Sequence, residues 1–309
     1  MKSKKKRGLL AAITLTLILG MTSLACNNVQ EPPAGEEAIS PNGIRQVWVP
    51  SGTFTMGSPA DEIGRSTGEE QRQVTLSDGF WMGVYPVTQE QWEAVMGSNP
   101  SYFNANPAAG ETQGRRPVES VRWFDAIVFA NRLSEREGLS PAYRINGSTN
   151  PDDWGAVPAW WASPNMAVWN AVEIVAGSNG WRLPTEAQWE RAARAGTASA
   201  FYNGAQDWQV ESDIDSVGWF DFNSGGMTRE VGLKYANAWG LYDMHGNVFE
   251  WVFDSPPQTD LTAASSVSER LFRGGGWIDS ALFARSGASF FIAPFFNFNY
   301  IGFRLVRPQ

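Results

Sequence analysis

The stretch Trp239-Gly240-Leu241-Tyr242-Asp243-Met244-His245-Gly246-Asn247-Val248-Phe249-Glu250-Trp251 decides the fold. Its glycines permit tight turns and close backbone approach, and its closing tryptophan reads as core. The rest of the chain continues in this style, with 31 Gly and 15 Trp in 309 residues and few long helical patterns. With 43% hydrophobic and 18% charged residues, the chain is globular rather than disordered. The pattern implies an irregular, loop-rich α+β fold.

Three helices stand out from this background. The first follows Thr88, with Gln91 as the reciprocal cap, and runs to about Met96 before Gly97. The second spans about Val121 to Glu137, buries Trp123, Ile127, Phe129, Ala130 and Leu133, and stops at Gly138. The third begins at Thr185 with Gln188 three residues on, and ends at Gly196. Val47-Trp48-Val49 and Thr53-Phe54-Thr55-Met56 alternate as strands around the turn Pro50-Ser51-Gly52. Residues 147–180, rich in Trp, read as an inserted excursion.

The N-terminus reads as an export signal. Lys2 to Arg7 are basic, Gly8 to Gly20 apolar, and Thr22-Ser23-Leu24-Ala25 lead to Cys26, the sole cysteine. A Cys at the cut resembles the lipobox of bacterial lipoproteins, with Ser23 where Leu is usual. That implies lipidation at Cys26 and an exported chain anchored at the bacterial envelope, on the outer membrane and cell surface. A plain transmembrane anchor ending near Ala25 is the alternative. The expected organisation is a signal peptide over 1–25, a flexible tether over 26–43 and one domain over 44–309. Removing the five basic residues of the signal leaves 19 basic against 32 acidic groups, net −13. Such a balance disfavours binding nucleic acid through its phosphates. One Cys and one His exclude an intrachain disulfide and a Cys/His zinc cluster, so a metal would need oxygen ligands.

Seven motifs occur in order: Pro50 to Ser58, Tyr85-Pro86-Val87-Thr88, Pro117-Val118 with Trp123, Trp181 to Glu190, Trp239 to Trp251, Arg273-Gly274-Gly275-Gly276-Trp277 and Gly302-Phe303-Arg304. Together they resemble the formylglycine-generating-enzyme (sulfatase-modifying factor) family over about residues 44–307. The resemblance implies a variant of the C-type lectin fold. The family's oxidases bind copper through two cysteines, whose places fall at about Asp279 and Ala284 here. Neither is Cys, so the resemblance implies the fold without the oxidase chemistry and with no catalytic cofactor. No partners are evident that would make His245 part of a catalytic triad. The resemblance also implies a structural calcium in the turn, held by the side chains of Asp243 and Glu250 and the carbonyls of Gly246 and Val248. Two carboxylates seven apart across a Gly-containing turn suit a hard cation. The alternative is a structural turn in which Glu250 bonds to backbone amides.

Residues 276–300 carry seven Phe or Tyr rings, but only Asp279 and Arg285 are charged. Phe290-Phe291 and Phe295-Phe296 are adjacent, and strand neighbours point to opposite faces, so some rings should be exposed. The same residues lack Lys, Glu, Gln and Met, which make up 44 of the 309. Such a bias resembles segments rewritten by diversity-generating retroelements, where mutated adenines of an Asn codon yield Phe, Tyr, Ser, Gly, Leu, Ile or Asp but not those four. Treponemal variable surface lipoproteins end in such a region. By this resemblance residues 273–306 form a variable region. Its diversified, ligand-binding positions are Ile278, Asp279, Leu282, Phe283, Gly287, Ser289, Phe290, Phe291, Phe295, Phe296, Asn297, Phe298, Asn299 and Tyr300. Trp277, Arg285 and Phe303 are expected to brace the scaffold. The reading is a surface-displayed, non-catalytic binding lipoprotein, anchored to the membrane by lipid, with a protein or other surface ligand as partner. A cysteine-independent enzyme and a structural envelope lipoprotein are the alternatives.

Overall fold

The computed structural model describes residues 30–256 and 269–309. The expected signal peptide, Cys26 and the first part of the tether lie outside the described residues.

Strands β1 (Glu37–Ile39), β2 (Arg45–Val49), β3 (Gly52–Met56), β4 (Arg72–Leu76) and β5 (Phe80–Gly83) come first. Helices α1 (Gln89–Met96) and α2 (Trp123–Arg136) follow. Next come β6 (Tyr143–Arg144), α3 (Met166–Asn170), β7 (Glu173–Ile174), α4 (Glu186–Arg194) and α5 (Glu211–Ile214). The chain closes with β8 (Phe249–Trp251), β9 (Arg270–Arg273), β10 (Phe290–Ile292), β11 (Ile301–Phe303) and β12 (Val306–Arg307).

The three long helices form where their caps allow. Thr88 and Gln91 make a reciprocal capping box on α1, and Gly97 ends it with φ of 82°. Thr185 and Gln188 do the same for α4. In α2 the box pairs the Asp125 carboxylate with the Arg122 amide, so the helix starts two residues later than Val121. Among the described residues, no helix is long and apolar enough to cross a membrane.

Two four-stranded sheets organise the domain. One runs β1-β2-β5-β12, antiparallel throughout. The other runs β10-β9-β8-β11, with β8 and β11 parallel. The turn at Pro50-Ser51-Gly52 does not close a hairpin, because β2 pairs with β5 while β3 pairs with β4. One hydrophobic cluster gathers Trp92, Trp123, Phe129, Trp181, Trp251 and Phe303, and a second gathers Val47, Phe80, Met82, Trp189 and Leu271.

The tether is shorter than its composition implies. Glu37–Ile39 pair with β2, the Gly35 amide donates to Trp48 O, and the Glu31 carboxylate accepts from the amides of Ser51 and Gly79. Edge pairing through backbone hydrogen bonds does not need apolar side chains, so Pro, Gly and Glu content hid it. The excursion is closed by β6 pairing with β7. Trp154 and Trp169 are buried inside it, while Trp160 and Trp161 are exposed.

Candidate ligand-binding face

Three buried arginines hold the C-terminal segment. Arg273 pairs with Glu186 at 2.9 Å and Glu190 at 2.7 Å, tying the end of β9 to α4. Arg285 pairs with Glu62 at 2.6 Å and Glu69 at 2.9 Å, tying the middle of the segment to the loop after β3. Arg304 grips Glu250 and donates to the carbonyls of Gly83, Val84 and Tyr242, fixing the chain after β11. Each guanidinium is matched by carboxylates or carbonyls, which is what makes a buried charge tolerable. Trp277 is buried and donates from Nε1 to Asn299 O. Phe303 lies in the core. Trp277, Arg285 and Phe303 thus brace the scaffold.

Between these fixed points Phe290 and Phe291 split across β10 as strand geometry requires, while Phe295 and Phe296 lie outside any strand with their rings 4.8 Å apart. Phe290 packs against Phe249 and Phe272 at ring distances of 5.5 and 5.9 Å, whereas Phe291 is 55% exposed. Phe295 lies half-buried against the core and Phe296 is 39% exposed. Phe296, Phe298 and Tyr300 alternate on one side and stack with centroids 5.5 and 5.1 Å apart. Ile278, Phe283 and Asn297 are exposed. Asp279, Leu282, Ser289, Phe298, Asn299 and Tyr300 are half-buried.

Gly287 does not belong with them. It is buried, and a Cβ there would sit 2.1 Å from Ser58 Oγ and 3.2 Å from the Ser58 amide. The position is therefore closed to side-chain variation.

The residues named for calcium do not fit that role. Both Glu250 oxygens are engaged, by Arg304 Nε and Nη2 at 2.7–3.0 Å and by Trp189 Nε1 at 2.7 Å. The Gly246 carbonyl accepts from the Val248 amide. Asp243 is buried, accepts from the Gly232 amide at 2.7 Å, and is pushed up to about 6, chiefly by burial. At Glu250 a guanidinium thus takes the place assigned to the cation, while Asp243 Oδ1 has no hydrogen-bond partner among the described residues. Among the described residues, no group of three or more His, Cys, Asp or Glu could hold a metal ion.

His245 is likewise committed to the core. Its Nδ1 lies 2.6 Å from Ala284 O, its Nε2 accepts from the Tyr202 amide, and burial holds it down at about 4. Both ring nitrogens are in use, so none is free to serve as a base.

Other residues of this face were not flagged by the sequence reading. Tyr102 is 70% exposed; its ring meets Phe103, and Phe103 meets Trp277 edge-on at 5.0 Å. The Asp221 amide donates to Asp279 O, which brings exposed Asp221 and Phe222 beside the segment. The run Trp219-Phe220-Asp221-Phe222 was a visible aromatic signal, but nothing local to Tyr102 announced its place.

Residues 34–309 match the sulfatase-modifying factor enzyme 1-like domain. The chain belongs to that family. A solved family-fold structure, Treponema denticola variable protein 1, superposes with a TM-score of 0.71 at 33% identity, covering 86% of this chain and 95% of that one. The chaperone protein LppX of Paenibacillus barcinonensis is 38% identical over 229 residues, 68% of this chain and 72% of that protein. The inactive C-alpha-formylglycine-generating enzyme 2 of Mus musculus is 27% identical over 291 residues, 85% of this chain and 82% of that protein. The α+β architecture of few helices and several small sheets is thus a sulfatase-modifying-factor-like fold, shared with a variable protein.

Proposed function

We propose that this family member is a lipid-anchored, surface-displayed binding protein without oxidase chemistry, whose segment 273–306 is diversified to change ligand specificity. The observation that carries this reading is the division of labour along the segment. Arg273, Arg285 and Arg304 are buried and ion-paired, while Ile278, Phe283, Phe291 and Phe296 between them are exposed. A segment pinned in this way tolerates exchange of its exposed side chains without losing its path. Likeness to a variable protein supports the same reading. The absence of cysteine at Asp279 and Ala284 supports a non-catalytic role. The anchor rests on the basic and apolar run before Cys26.

The flanking DNA supplies the test. The expected finding is a near-copy of the stretch coding for the segment, differing mainly at adenines and lying beside a reverse-transcriptase gene. A locus with neither would overturn the diversification reading. Mass spectrometry of the native N-terminus should show an acylated Cys26; a chain starting at Met1 would remove the anchor.

A further inference from the structure

The chain that leads from Cys26 is fastened to the domain almost at once. The Glu31 carboxylate accepts from the amides of Ser51 and Gly79, and the Gly35 amide donates to Trp48 O. Five peptide links separate Cys26 from Glu31, a reach of about 18 Å at most. A compact chain of this length has a radius of gyration of about 19 Å. An acyl group on Cys26 would therefore hold the Glu31 side of the domain against the bilayer.

Two clefts open beside that point. One, of about 270 Å³, is lined by Leu76, Gly79, Arg182, Gln188 and Pro308, and shares Gly79 with the Glu31 contact. The other, of about 320 Å³, is lined by Phe54, Thr55, Arg191 and Trp239. Arg191 donates to the carbonyls of Pro50 and Ser51, and Glu31 holds the Ser51 amide. Gly35 lies against the same cleft, its ideal Cβ 3.3 Å from Trp239 O.

Each cleft carries a guanidinium that forms no ion pair among the described residues. The carboxylates of α4 go elsewhere, Glu186 to Arg273 and Glu190 to Arg194 and Arg273. Arg182 donates from Nη1 to Leu183 O and Gln188 Oε1, and Arg191 from Nε and Nη2. Nε and Nη2 of Arg182 and Nη1 of Arg191 have no hydrogen-bond partner among the described residues, and none of the three is closed to water. Arg191 also lies between the rings of Phe54 and Trp239, 5.8 and 5.6 Å from their centroids. Asp78 lines the first cleft too, but it accepts from Ser77 Oγ and makes no ion pair with Arg182. Open guanidinium donors beside half-buried rings fit the headgroup layer of a bilayer. Guanidinium binds phosphate oxygens two at a time, and Trp favours the membrane–water interface.

We propose that the Glu31 side of the domain rests on phospholipid headgroups next to the acylated Cys26, with lipid phosphates held by Arg182 and Arg191. The assignment rests on the lipid-anchor reading above and adds the surface that meets the membrane.

The test is arginine footprinting with phenylglyoxal, read by peptide mass spectrometry on the acylated chain. One sample sits in phosphatidylglycerol vesicles and the other in digalactosyldiacylglycerol vesicles, which carry no phosphate. Arg182 and Arg191 should react on the order of tenfold more slowly in the first, while exposed Arg144 reacts alike in both. Glycerol phosphate added to the detergent-solubilised chain should not protect them. Equal rates in the two vesicles would overturn the docking. Protection by glycerol phosphate alone would make this a site for a soluble phosphate and overturn the membrane assignment. The same spectra report the acyl group: an unmodified Cys26 removes the anchor and the docking together, whereas acylation without protection removes the docking alone.

Discussion

Phe290 and Phe291 are neighbours on β10, a strand that among the described residues pairs with β9 alone, and they test whether the face is separable from the fold. Phe290→Ser removes a ring that packs on Phe249, Phe272 and Phe283 at 5.5–5.9 Å. Fully buried Phe truncations cost about 3–5 kcal/mol. Phe290 is half-buried, so the expected cost is about 2 kcal/mol. Phe291 keeps 55% of its surface in water, and its replacement by Ser should cost less than about 1 kcal/mol. Both substitutions lose the same strand propensity, so their difference isolates burial. Urea denaturation midpoints at constant slope give the two values. Equal costs, or a larger cost at Phe291, would refute the alternation that separates the face from the core. The pair Phe295 and Phe296 should repeat the ordering. Adjacency alone suggests that most of five rings, Phe290, Phe291, Phe295, Phe296 and Phe298, lie in the open. Two do, and the other three rest half-buried against the core.

Asp279 is raised from 3.8 to about 6, so its contribution to stability is greatest below pH 4 and is lost as pH climbs through 6. At about 1.4 kcal/mol per pH unit the full effect would approach 3 kcal/mol, and partial solvent exposure reduces it to about 1. Asp279→Asn should therefore stabilise the protein by about 1 kcal/mol at pH 7.5 and by little at pH 3.5, read from paired denaturation curves; the reverse pH dependence would contradict this. Arg285→Ala leaves Glu62 and Glu69 buried without their cation and should cost about 3–5 kcal/mol, with much of it recovered when both glutamates become Gln. A mild Arg285→Ala would show that the segment is not pinned there. Chelation with EDTA should leave the unfolding temperature unchanged, because Arg304 already neutralises Glu250; a fall of several degrees would restore a cation to the turn.

The helices were legible because their signals are local. Thr88 with Gln91 and Thr185 with Gln188 name their own positions, and Gly97 names an end. The ordered motifs carried the fold for a different reason: glycines and tryptophans fix turns and core volume wherever they occur. What stayed hidden depends on distant partners. Spacing alone cannot tell a carboxylate that meets a calcium from one that meets a guanidinium. Glu250 was therefore assigned to the cation, although Arg304, 54 residues on, is its actual partner. Gly287 looked variable by composition, and only the approach of Ser58 from a remote loop closes it. Asp221 and Tyr102 join the face through tertiary contacts that no window of sequence contains.

The central claim is that a fixed scaffold carries a rewritten face. Deep sequencing of the gene across a population grown from one clone tests it most directly. The predicted result is substitution concentrated at exposed and half-exposed positions such as Ile278, Phe283, Phe291, Phe296 and Tyr300, restricted to template adenines. Trp277, Arg285, Gly287 and Arg304 should stay constant. Substitutions spread evenly along the gene, or a segment as invariant as the rest, would contradict the account.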